Sequence, residues 1–114
     1  MEKVVKESLE MYVEYVKNLP RACLHISNLI KEEGLISAIN LIRQFSEGMS
    51  WVIDMNTLLS THNAVKPLDI VEIQGFLTEI TEAFEAQDYV LMSDLFEYEL
   101  SPYFENYLQE NSLN

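Results

Sequence analysis

The chain has a single cysteine, Cys23, so an intramolecular disulfide is excluded and a reducing compartment fits. Glycine and proline number three each, too few for a loop-rich or all-β fold, so the elements must be long. No apolar run reaches the roughly 18 to 20 residues of a membrane span. The most apolar stretch, Leu35 to Leu59, is interrupted by Arg43, Glu47 and Asp54. The opening residues, Met-Glu-Lys, lack the basic start and apolar run of a secretory signal. A cytoplasmic protein is expected, without membrane association.

Basic residues are missing from one half. Residues 1–66 hold eight acids and seven Lys or Arg, whereas residues 67–114 hold eleven acids and no Lys or Arg. The net charge of −12 repels a phosphate backbone, which argues against nucleic-acid binding. It would attract a basic partner and speed the encounter. The plainer reading is that the charge keeps a small domain soluble.

The residues of common catalytic centres are scarce too. There is no Glu-x-x-His pair, and the only histidines are His25 and His62, so no metal site and no cofactor is expected. There is no glycine-rich phosphate loop and no Gly-x-Ser-x-Gly elbow. Cys23 falls on an apolar helix face, where cysteine acts as a small hydrophobe. No catalytic residue is assigned.

What the chain does have is helical periodicity. With 114 residues, 48% of them hydrophobic, it suits a single domain spanning 1–114 with a core of its own. Val5, Leu9, Tyr12, Val13 and Val16 recur at three- and four-residue spacing and predict a helix over 3–33. Pro20 either kinks that helix or divides it in two, and Gly34 stops it. A second helix over 35–60 is apolar on two sides, through Leu35, Ile39, Ile42, Phe45, Met49, Val52 and Ile53 and through Leu41, Trp51, Met55, Leu58 and Leu59, so it belongs between neighbours. Within it, Gly48 leaves room for another backbone.

After a loop over 61–67, an amphipathic helix over 68–87 carries Ile70, Ile73, Phe76, Leu77, Ile80 and Phe84 on one face. A last helix starts at Asp88, a cap, and turns Met92, Leu95, Phe96, Leu100, Tyr103 and Tyr107 inward. Near Pro102 it either kinks or restarts, and its last residues should fray. The segments around Gly34 and Asp88 match weakly at an offset of 54, both reading helix, short turn, helix. The expected fold is all-α and four-helix bundle-like: two packed αα-hairpins.

Two candidate sites stand out. On a continuous last helix, Glu99 falls among Leu95, Phe96 and Tyr103, as a buried acid that must find donors or turn neutral. A break at Pro102 would instead turn it to solvent. The second candidate is a protein-binding surface. Tyr98 and Phe104 lie off the main stripe of the last helix, and Trp51, Met55 and Leu58 form the second stripe of the 35–60 helix. Such aromatic and Met positions serve either the core or an interface.

The run Gln87-Asp-Tyr-Val-Leu-Met-Ser-Asp-Leu-Phe-Glu-Tyr-Glu-Leu-Ser-Pro102, with Glu33-Gly-Leu-Ile-Ser-Ala-Ile-Asn-Leu-Ile and Ser46-Glu-Gly-Met-Ser-Trp51, resembles a group of short, uncharacterised, all-helical proteins of Gram-positive bacteria of the bacillus and clostridium type. The likeness spans about residues 25–105. It implies helix content and a bacterial cytosolic setting, and it brings no site residue or activity. Asp88, Tyr89, Asp94, Glu97, Tyr98 and Glu99 would be its signature positions.

Together these readings predict a non-catalytic protein-binding module: an adaptor, regulator or small chaperone-like protein. Its partner would be a basic protein or a second copy in a homo-oligomer. The alternative is a small-molecule- or metal-dependent enzyme built on Glu99.

Overall fold

The structure is a computed structural model that describes residues 2–113. Helix α1 (Lys3–Lys17) is followed by α2 (Leu19–Glu33), α3 (Leu35–Thr61) and α4 (Ile70–Glu85). The last rod combines α5 (Tyr89–Asp94), a π-helical segment (Leu95–Leu100) and α6 (Ser101–Glu110). The expected all-α bundle of two hairpins is the observed architecture. At about 1.5 Å per residue, the 27 residues of α3 span about 40 Å. That length sets the long axis of a molecule measuring 46 × 22 × 22 Å.

Helix α2 is central and packs on α3 and on all three parts of the last rod. Helix α1 packs on α3 and α6, and α4 rests on α5 and the π segment. The core runs through every helix, from Tyr12, Val16 and Cys23 through Met49, Val52 and Ile73 to Phe96, Leu100 and Phe104.

The first helix is divided, not kinked. Asn18 (φ −92°, ψ −7°) stands between α1 and α2, and Pro20 falls in the first turn of α2, where its missing N–H costs nothing. The Pro20 carbonyl accepts from the Ser101 hydroxyl at 3.1 Å, tying this break to the last rod. Gly34 alone joins α2 to α3. Its φ of 87° and ψ of 178° lie in a region that only glycine occupies readily. Elsewhere non-glycine residues take the left-handed turns. Asn63, Gln87 and Ser112 have φ of 57°, 58° and 55°. After each, an N–H bonds back five residues: Ala64 to Leu59, Asp88 to Ala83 and Leu113 to Leu108. The expected weak match between the hairpins therefore fails in detail, since the left-handed residue is Gly34 in one and Gln87 in the other.

Helix α4 begins two residues later than its periodicity implies. Leu68 is buried in the loop, and Asp69 caps α4 by accepting from the Glu72 N–H at 3.0 Å. Asp88 caps α5 in the same way, through the Leu91 N–H at 3.0 Å. Just beyond α6 the Asn111 side chain accepts from the Lys66 N–H at 2.8 Å, which ties the end of the last rod to the loop.

At Pro102 the last helix restarts: α6 begins at Ser101 with Pro102 in its first turn and runs to Glu110. A proline ring clashes with the carbonyl four residues back, here that of Tyr98. The turn before it opens into π geometry, and the Ser101 N–H reaches the carbonyl of Phe96, five residues back. The extra residue rotates everything beyond it by about 100°, one residue's share of a helical turn. Before the π segment the buried residues are Met92 and Ser93; within and beyond it they are Leu95, Phe96, Leu100, Ser101, Phe104, Tyr107 and Leu108.

Candidate functional site

That rotation corrects two of the expected site residues. Glu99 is exposed, so no buried acid exists at this position, and the alternative enzyme loses the residue it was built on. Phe104 is fully buried, so it is core and not part of a binding surface. Both were placed by an uninterrupted helical period, and the π segment moves one out and the other in.

The other three residues expected with Tyr98 belong to α3. Trp51, Met55 and Leu58 are half-buried. Trp51 meets Tyr15 of α1 edge to face, with ring centroids 5.4 Å apart. Gly48 is what admits Tyr15, because a Cβ there would overlap its hydroxyl. The close approach expected at Gly48 is real, but a side chain makes it, not a backbone. Burial raises the Tyr15 phenol above its ordinary pKa of 10.0.

Tyr98 lies apart from this group, on the π segment. It is 63% exposed, with the Lys31 ammonium of α2 5.9 Å from its ring centroid. Lys31 also pairs with Glu97, which raises the Lys31 ammonium above its ordinary range. The seam of Trp51 and the seam of Tyr98 are therefore separate surfaces.

Val71, in the first turn of α4, is 80% exposed, and the other exposed apolar side chains of the second half, Tyr98 apart, gather where α4 turns into α5. Phe84, Tyr89, Leu91 and above all Val90, 73% exposed, surround a turn that also exposes Glu82, Glu85 and Asp88. Tyr98 lies about two turns further along the same rod. No Lys or Arg follows Lys66 in the chain, so nothing on α4 or the last rod neutralises these acids.

At the opposite end is a buried polar network that periodicity did not reveal. Asn56 of α3, 1% exposed, accepts through Oδ1 from the Leu68 N–H at 3.0 Å. A backbone N–H can only donate, so this contact fixes the orientation of the amide. Its Nδ2 then donates to the Tyr12 and Tyr107 hydroxyls at 3.1 and 3.2 Å. Tyr107 donates its one proton to the Lys66 carbonyl at 2.9 Å. Tyr12 must therefore be the donor in the 2.8 Å contact between the two phenols. Tyr103 accepts from the Asp69 N–H at 2.9 Å. The N–H groups of Lys66, Leu68 and Asp69 are thus each answered by a side chain, and Pro67 between them has none to answer.

Burial raises the Tyr12 and Tyr107 phenols above their ordinary value of 10.0, so both stay protonated at neutral pH. Each polar group of the network has a partner, which makes it a fastening between the helices and the loop. One signal in the sequence could have found it: Asn56 is the polar residue four beyond Val52 on an otherwise apolar face.

Burial pushes the Cys23 thiol up to about 12, so it stays a thiol. Among the described residues no three His, Cys, Asp or Glu side chains are grouped to hold a metal ion. Among them no helix is long and apolar enough to cross a membrane. No curated protein and no solved structure matches the chain. A family model does match residues 7–110, and the chain therefore belongs to the family described as a domain of unknown function, DUF8042.

Proposed function

We propose that this protein is a non-catalytic protein-binding module acting in a bacterial cytosol. Its working face is formed by the α4–α5 turn and the outer side of the last rod. One observation carries the reading: Phe84, Val90, Leu91 and Tyr98 stand exposed on the half of the chain that has eleven acids and no Lys or Arg. Apolar side chains left in water favour a contact that removes them from it. The acids around them favour a basic partner and oppose a second copy of the same face. The buried thiol and the exposed Glu99 support a role without catalysis.

The test is affinity capture from the native lysate at two salt concentrations, comparing wild type with a Val90→Ser, Tyr98→Ala double variant. A protein held at low salt, weakened by high salt and released by the double variant supports this face. Identical retention by both forms overturns it. Light scattering on the purified protein at two concentrations separates self-association, in which case the apparent mass rises with concentration.

A further inference from the structure

The break between α1 and α2 leaves an opening against α3. Its floor is apolar, formed by Leu19, Ile26, Leu41 and Phe45, with the small side chain of Ala22 among them. Its rim is polar and holds Tyr15, Asn18, His25 and Gln44. The volume is about 350 Å³, inside the range of small-molecule sites. None of these walls belongs to α4 or the last rod, so the cleft is independent of the acidic face.

The chemistry of the lining is selective. The chain has 19 carboxylates, yet none lines this cleft, and no Lys or Arg lines it either. Recognition by charge is therefore not what it offers. It offers apolar contact below and hydrogen bonds at the mouth. The Asn18 amide donates to the Glu14 carbonyl at 3.0 Å, which turns its acceptor oxygen to other partners. Tyr15 forms one wall because Gly48 has no side chain to displace it.

We infer that this cleft binds an uncharged, mainly apolar small molecule, of the size of a two-ring aromatic with a single hydrogen-bonding group. Burial of the rings against Leu19, Ile26, Leu41 and Phe45 supplies the attraction, and the polar rim orients the one polar group.

The test is a titration of the ¹⁵N-labelled full chain with 2-naphthol, followed by amide shifts, with 2-naphthalenesulfonate as the charged counterpart. Saturable one-to-one binding of 2-naphthol is expected, with shifts concentrated in residues 15–26 and 41–48. The sulfonate should bind at least about tenfold more weakly, since no cation lines the site and the net charge opposes it. Ala22→Phe, which fills the floor, should abolish binding while leaving helix content unchanged. Should that variant fail to fold, Gly48→Ala displaces Tyr15 and should weaken binding several-fold. No saturable binding, shifts centred on α4 and α5, equal binding of the sulfonate, or binding indifferent to every folded variant would each overturn the assignment.

Discussion

The two ends of this bundle are closed by different means. At the end holding the 62–69 loop, Tyr12, Asn56, Tyr103, Tyr107 and Asn111 direct their polar groups at loop backbone or at each other. At the other end there is almost no loop. Gly34 joins two helices alone, and a turn at Gln87 joins two more. There the backbone closes the structure, and apolar side chains such as Ile36 and Val90 remain outside. The fastened end spends its polar side chains on its own loop and leaves Val71 exposed beside it, whereas the end closed by backbone leaves a cluster of apolar side chains free.

The largest effect should come from the fastened end. Asn56→Leu leaves the buried Leu68 N–H without an acceptor and deprives both phenols of a donor. It should cost about 3 kcal/mol, read as a fall in urea midpoint with unchanged m-value. A loss below about 1 kcal/mol would show that the network is incidental.

Gly34→Ala tests the other end. Nothing lies within 4 Å of the Cβ it would add, so its cost is backbone strain alone, about 1–3 kcal/mol by thermal unfolding. An unaffected Tm would mean the turn can relax, and the contrast between the ends would weaken.

Alkali should separate the ends without mutation. Unfolded, Tyr12 and Tyr107 ionise near 10.0, and in the fold burial holds them protonated beyond that. Their stabilisation is complete below that value and is lost as pH rises toward the folded values. Urea midpoints should stay level to about pH 9 and fall above about pH 10, and Tyr107→Phe should shallow the fall. A decline equally steep in that variant would place the titrating groups elsewhere.

The smallest effect has the opposite sign. Gln87 holds φ at 58°, which glycine adopts without strain. Gln87→Gly should raise stability by about 0.5 to 1 kcal/mol, measurable as a small rise in Tm.

Most of the fold was legible because apolar spacing and punctuation agree over the first three helices. Pro20, Gly34 and Asp88 mark real boundaries. The polar network was not legible, since Asn56, Tyr12 and Tyr107 are 44 to 95 residues apart in their pairings, and periodicity carries no information across such gaps. Of the candidate site, Tyr98 is exposed, Trp51, Met55 and Leu58 are half-buried on a separate seam, and Glu99 and Phe104 exchanged places. Their exchange came from a rule that counts every turn as 3.6 residues. Pro102 was read as a kink or a restart, and the restart is real, but the wider turn that precedes it leaves no mark in the spacing.

That wider turn makes the last rod two half-rods out of phase. One half is cut to fit α4 and α2, the other to fit α1 and α2, and a straight helix could not serve both. The mismatch is confined to the six residues Leu95–Leu100. A gap one residue long should therefore be tolerated in family members inside that stretch, together with loss of the proline, and nowhere else along the rod. Deleting Glu99 while changing Pro102→Ala should give a folded protein with an uninterrupted α-helix and both buried faces still in place, whereas deleting Gln109 should not be tolerated in the same way.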